Sequence, residues 1–326
     1  MGDSINLTLQ REDMASIGEI ILSILSRLFL FLGILFSAEE FTNTEYVNSN
    51  GDTLHAYVAL PPNYSNSTNE TYPVAMVFHA WNGMSEEPVY FADLLAEEGG
   101  YVVIAPDLFR GVSSESTFIF YNILNLMNTP QDRMDSDIDA AIEYLERLGN
   151  VDMSNLVSGP GFCFGGSQAL ELAKRRSVGA TVSLYGSSIA GLQDPTDDEL
   201  WGLLGRSPIL GIYGALDMGP SPDDVSGFET ALQARNATYN ITIYDDVGHA
   251  FVNPEAHMSG DTQATAAWDQ VMSFLEEFKD ISQSPARARR DVQIVQRKSY
   301  RPSLSFITDH ITDKMYHKGH ANPHQG

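Results

Sequence analysis

One repeated pattern limits what this chain can fold into. From about Glu45 to Lys279, short apolar runs alternate with longer stretches whose apolar residues recur at helical spacing. Val74–Phe78 and Tyr101–Ala105 are too short for buried helices and apolar throughout, as strands covered on both faces are. Strands are also expected at Thr53–Leu60, Asn155–Ser158, Thr181–Tyr185, Ile209–Tyr213 and Asn240–Tyr244. Between them, Glu86–Glu98, Asp132–Arg147, Gly166–Arg176, Val225–Ala234 and Thr262–Phe278 read as helices. In the second of these, Met134, Ile138, Ala141, Ile142 and Leu145 form one apolar face. Such an alternation predicts an α/β fold with a mostly parallel central sheet and helices on both faces. No internal repeat or long linker interrupts it, so a single domain is expected over residues 45–280.

Charge narrows the partners. The chain has 43 acidic and 19 basic residues, a formal net charge of −24. That field repels phosphate backbones and anionic membrane surfaces, so nucleic-acid binding is not expected. Cys163 is the only cysteine, which rules out an intramolecular disulfide and leaves cysteine usage silent on compartment.

Both ends differ from the core. Residues 17–36 are apolar but interrupted by Glu19 and Arg27. Leu28–Phe36 has the length of a signal-peptide apolar region, and Ser37-Ala38 offers small residues for cleavage. Residues 1–38 are therefore read as a signal peptide or a signal anchor, with initiation at Met14 as a third reading. Membrane association follows only from an uncleaved anchor. Glycosylation sequons begin at Asn63, Asn66, Asn69, Asn236 and Asn240, the first three within the polar stretch PPNYSNSTNET. Together these features point to a secreted or lumenal protein, with a cytoplasmic one as the alternative. Residues 281–326 carry 8 basic and 3 acidic residues, with little periodicity. They read as a basic, disordered tail, and its His317, His320 and His324 as scattered solvated histidines.

The chemistry is concentrated in Gly161-Phe162-Cys163-Phe164-Gly165-Gly166, which follows one expected strand and opens an expected helix. A tight strand–turn–helix of this kind projects a nucleophile above the sheet. It needs small residues two before and two after the nucleophile, where Gly161 and Gly165 stand. The helix N-terminus adds partial positive charge that favours a thiolate. Taken alone, the hexapeptide also fits a glycine turn around a buried structural thiol. Asp217 follows the strand Ile209–Tyr213, and His249 follows Asn240–Tyr244. Each alone suits a structural role. Together, all three sit past the ends of strands in one sheet, in the order nucleophile, acid, base, which is that of the α/β-hydrolases.

The segments GFCFGG, YGALD and GHAFVNP, with VAMVFHAWNGM and VVIAPDLFRG, resemble the dienelactone hydrolase family of cysteine-dependent α/β-hydrolases over roughly Thr53 to Phe278. The resemblance implies that Cys163 attacks an ester or lactone carbonyl, His249 manages the proton and Asp217 holds the imidazole. It implies an oxyanion hole from the backbone N–H groups of Phe164 and Trp81. It implies no metal or organic cofactor, and a small-molecule ester or lactone as substrate; a monomer is expected. Two departures stand out. Ala80 occupies the place of a family glutamate that tunes the thiol, with His79 beside it as a substitute or as a packed structural residue. Ser221-Pro222-Asp223-Asp224 is acidic where an arginine would grip a substrate carboxylate, leaving Arg110 and Arg133 as unplaced alternatives. A neutral ester, lactone or thioester is therefore expected rather than an anionic dienelactone. The departures also keep open a binding module that has lost catalysis, and, because fold and triad do not fix the acceptor, an acyltransferase on the same fold is a further alternative.

Overall fold

A computed structural model describes residues 41–65, 71–113, 125–126 and 128–282. Its eight strands are β1 (Thr44–Val47), β2 (Thr53–Ala59), β3 (Tyr72–Phe78), β4 (Val102–Pro106), β5 (Val151–Phe162), β6 (Ala180–Leu184), β7 (Ile209–Gly214) and β8 (Tyr239–Tyr244). Its helices are α1 (Glu86–Glu97), α2 (Gln131–Leu148), α3 (Phe164–Arg175), α4 (Asp198–Trp201), α5 (Pro222–Ala234), α6 (Pro254–Met258) and α7 (Thr262–Ser282), with a 3-10 turn at Ser187–Gly191.

The strands form one sheet in the order β1-β2-β4-β3-β5-β6-β7-β8. β1 pairs antiparallel with β2, and β2 antiparallel with β4; all other pairs are parallel. The apolar runs behave as their composition requires. Every residue of β4, β6 and β7 is buried, so these strands are covered on both faces. The edge strand β8 is only partly buried along its length.

The order places β4 and β5 on opposite sides of β3. The chain therefore reverses its direction of travel across the sheet there, opening a crevice beyond the carboxyl ends of β3 and β5 where open α/β sheets bind ligands. The turns that carry Trp81 and Cys163 leave from these two ends.

Besides β1, α4 and α6, which the sequence pattern does not announce, three expected elements differ in ways that bear on the site. β5 is longer than Asn155–Ser158 and continues through Gly159-Pro160. The pairing with β6 skips between Ser158 and Gly161, and that with β3 shifts at Met76, so the proline sits in a bulge rather than a regular ladder. α3 begins at Phe164 instead of Gly166, directly after Cys163. α5 begins at Pro222 because Ser221 and Asp224 form a capping box: the Ser221 side chain accepts from the Asp224 N–H, and the Asp224 carboxylate from the Ser221 N–H.

No helix among the described residues is long and apolar enough to cross a membrane. The apolar segment 17–36, the sequons at Asn66 and Asn69, and residues 283–326 lie outside the described residues. Asn63 and Asn236 are exposed, and Asn240 lies in β8, where Thr242 of its own sequon donates to it at 3.4 Å.

Candidate active site

Cys163 joins β5 to α3 with φ 57° and ψ −112°. A non-glycine residue pays strain for a positive φ, so the surroundings must enforce it. The Cys163 N–H donates to Leu184 O at 3.0 Å, and its carbonyl accepts from the Ser167 N–H at 3.3 Å. The preceding Phe162 is fully buried and stacks on Phe91 at 4.9 Å, itself 4.5 Å from Trp268. Burying one such ring is worth about 2–3 kcal/mol, which anchors the base of the turn. The two glycines meet the expected need. A Cβ at Gly161 would overlap the carbonyl oxygen of Gly165, and one at Gly165 would overlap that of Phe78. Cys163 itself stays partly exposed.

Asp217 and His249 arrive on two loops that are tied together. Past the ends of β7 and β8, the Ala215 N–H donates to Tyr244 O at 2.8 Å and the Leu216 N–H to Val247 O at 2.9 Å. Asp217 is 2% exposed; its Oδ1 accepts from the Gly219 N–H at 2.9 Å, and its Oδ2 lies 2.7 Å from His249 Nδ1. A carboxylate only accepts, so the ring proton sits on Nδ1 and leaves Nε2 for Cys163. Burial works hardest against the imidazolium. The hydrogen bond to Asp217, the contact with Cys163 and the negative charges of both outweigh it and raise the His249 pKa to about 10. Thiol and ring are neighbours, and a side-chain hydrogen bond between Cys163 and His249 is one of the causes that favour the charged ring.

Tyr185 supports the histidine from below. Its ring is 4.9 Å from that of His249, and its buried hydroxyl donates to Val252 O at 2.9 Å, fixing the far side of the histidine loop.

The two N–H donors expected from the resemblance are those of Phe164 and Trp81. As the first residue of α3, Phe164 has no acceptor for its N–H within the helix. Trp81 lies in the turn after β3, and its N–H has no acceptor among the described residues.

Other candidates take structural roles. His79 is fully buried and bonded on both ring nitrogens, so it is no proton carrier for the thiol. Arg110 is bound to Asp137 at 2.8 Å and to Asp52 at 3.1 Å. Arg133 donates to Leu108 O at 2.7 Å. Asp224 caps α5. Arg110 is thus paired with two carboxylates, whereas Arg133 meets only neutral acceptors and its Nε is buried without a hydrogen-bond partner among the described residues.

One acidic residue near the site escaped sequence reading. Glu87 lies in the first turn of α1, partly buried and without a hydrogen-bond partner among the described residues. Burial pushes its pKa up to about 7 against the pull of the positive charge on His249. Glu87 and Cys163 also both act, after burial, to raise the Tyr185 hydroxyl. A carboxyl therefore reaches the surroundings of His249 from α1, whereas position 80 has none. In the sequence, Ser85-Glu86-Glu87-Pro88 reads only as a helix start. Among the described residues, no group of His, Cys, Asp and Glu is arranged to hold a metal ion.

An eight-stranded, mostly parallel sheet, with a strained strand-to-helix turn at the carboxyl end of a central strand, is the α/β-hydrolase fold. Residues 54–279 match the model of the dienelactone hydrolase family, and the chain belongs to that family. A protein of Escherichia coli O157:H7 named "Putative carboxymethylenebutenolidase" is 28% identical over 248 residues, covering 71% of this chain and 85% of that one. A Bradyrhizobium protein named "Probable 2-oxo-3-(5-oxofuran-2-ylidene)propanoate lactonase" is 26% identical, covering 70% of this chain and 91% of its own. The crystal structure titled "Putative Dienelactone Hydrolase" from Klebsiella pneumoniae superposes with a TM-score of 0.60 at 25% identity, over 72% of this chain and 97% of that one. The protein is a hydrolase acting on ester or lactone bonds.

Proposed function

We propose that the protein cleaves a neutral carboxylic ester, lactone or thioester through a cysteine acyl-enzyme, with Cys163 as nucleophile, His249 as base and Asp217 as the residue that orients the base. The observation that carries this reading is the 2.7 Å bond from His249 Nδ1 to the buried Asp217 carboxylate, with the free face of the ring turned to a strained, partly exposed Cys163.

His249 holds its proton up to about pH 10, so the Cys163 sulfur attacks the carbonyl carbon while the thiol's proton already rests on His249 Nε2. Asp217 stabilises the resulting imidazolium and keeps the ring in register. The carbonyl electron pair moves to oxygen, which the N–H groups of Phe164 and Trp81 receive. When the tetrahedral species collapses, the C–O or C–S bond of the leaving group breaks, and His249 returns the proton to that group. Water then attacks the thioester with His249 as base. The second collapse releases the carboxylic acid and restores the thiol. For a lactone the leaving hydroxyl stays attached to the acid, giving a hydroxy acid.

Arg110 is paired with carboxylates within the protein, and Glu87 brings an acidic group near the base; both facts favour uncharged substrates. The test is hydrolysis of p-nitrophenyl acetate by the full chain, before and after iodoacetamide, and by Cys163→Ala. The chain has one cysteine, so alkylation reports on one atom. Loss of activity in both cases is expected. Activity that survives them assigns the nucleophile elsewhere.

A further inference from the structure

We propose that His79 is a positioning residue for the oxyanion hole: it sets the plane of the Ala80–Trp81 peptide so that the Trp81 N–H points at the reacting carbonyl oxygen. This rests on the cysteine reading above, in which that N–H is one of the two donors.

His79 leaves the end of β3 and is wholly enclosed. The Leu108 N–H donates to its Nε2 at 3.1 Å, so Nε2 carries no proton. The proton is on Nδ1, which donates to the Ala80 carbonyl at 2.7 Å. Burial, opposed by the nearby Asp107 charge, lowers the pKa and keeps the ring neutral, in agreement with this tautomer. The Ala80 carbonyl also accepts from the Gly83 N–H at 3.2 Å, which closes the turn.

Within a trans peptide the C=O and the following N–H lie in one plane and point in opposite directions. The Ala80–Trp81 bond is trans. Holding the Ala80 oxygen down towards His79 therefore turns the Trp81 N–H the other way, out of the protein. The same imidazole lies 5.9 Å from the ring of Phe164, the residue that offers the second donor, and 4.8 Å from Phe109. One buried ring thus bonds the carbonyl that precedes the Trp81 N–H, lies beside the ring of Phe164, and takes its own orientation from the loop after β4. It neither reaches the thiol nor needs to titrate.

The experiment compares His79→Phe, His79→Gln and His79→Asn by three readouts. The Asn amide stands where Nδ1 does and can donate to Ala80 O, whereas Gln reaches only the Nε2 position. The first readout is kcat and KM for p-nitrophenyl acetate. The second is the rate of Cys163 alkylation by iodoacetamide, a displacement that forms no oxyanion. The third is affinity for a trifluoromethyl ketone, which forms a tetrahedral adduct on the thiol. The Phe variant should lose ~10²–10³-fold in kcat, the usual scale for one oxyanion donor. Its KM and alkylation rate should stay within about threefold, and ketone affinity should fall in step with kcat. Asn should recover at least about tenfold of the loss, and Gln should not. The proposal is overturned if kcat in the folded Phe variant holds within about threefold. Alkylation falling as far as ester hydrolysis also overturns it, as does Gln matching Asn; the Asn–Gln pair decides if the Phe variant fails to fold. Failure of the cysteine reading would appear separately, as wild-type activity that survives alkylation.

Discussion

Replacing Glu87 by Gln should stabilise the protein, increasingly as pH rises from 4.5 to about 7 and fully above that. The side chain is partly buried in the first turn of α1 with no hydrogen-bond partner among the described residues. A carboxylate at a helix N-terminus is normally favoured, yet burial here wins and the pKa rises from 4.5 to about 7. At ~1.4 kcal/mol per tenfold change, ionising Glu87 costs about 3 kcal/mol more in the folded than in the unfolded chain. Its residual solvent contact makes that figure a ceiling. Between 4.5 and about 7 the native state holds a proton that the unfolded chain has released. The stability Glu87 lends is therefore complete below 4.5, declines as pH rises through this window, and is lost above about 7. Gln cannot ionise and escapes the loss. For a domain of this size ~1 kcal/mol corresponds to ~2–4 °C in Tm. Thermal unfolding followed by circular dichroism should show Glu87→Gln melting several degrees above wild type at pH 8.5 and within about 2 °C of it at pH 4.5. A gap that does not change with pH, or a Gln variant that melts lower at pH 8.5, would refute the assignment of a buried, unpaired carboxyl.

Asp217→Asn should lower kcat/KM by ~10²–10⁴-fold, because an amide donor facing Nδ1 reverses the tautomer. NMR titration should show the His249 midpoint falling from about 10 towards its ordinary 6.5. Because that raised value stabilises the fold fully below 6.5 and is lost as pH rises through about 10, the stability gap between wild type and variant should close above pH 10. Gly165→Ala forces a Cβ against the Phe78 carbonyl, which belongs to a central strand and has nowhere to go. It should cost more than ~3 kcal/mol by urea unfolding or prevent folding altogether, whereas Gly260→Ala, whose added Cβ would meet open space, should cost only ~1 kcal/mol for its positive φ.

The parts of this fold legible in the sequence are those where sterics permit few alternatives. Gly161 and Gly165 are required because backbone passes backbone at the turn, so the turn announces itself in residue type. The apolar runs of β3, β4 and β7 are equally direct, since a strand covered on both faces has no polar side to show. The sequence pattern ends β5 at Ser158 because Gly159-Pro160 ordinarily closes a strand; only its neighbours' registers reveal the bulge that accommodates them. β1 gives no periodic signal, because Tyr46 is its one buried apolar side chain. Glu87 was invisible for a different reason. Its approach to His249 depends on how α1 packs beside a loop more than 160 residues later in the chain.

The two histidines of the site show why residue type alone could not assign roles. His79 and His249 both follow strands of the same sheet. The second nitrogen of each ring decides between them. In His79 it faces a backbone N–H, which can only donate, so protonating the ring would leave two donors opposed in a buried space. In His249 the nitrogen bound to Asp217 faces a carboxylate, which strengthens as an acceptor when the ring gains a proton. The first ring is fixed in one neutral tautomer and suits holding a peptide in place. The second is able to gain and lose charge and suits moving a proton. Sequence supplies both imidazoles, but the loops after β4 and β7 supply the partners that separate positioning from proton transfer.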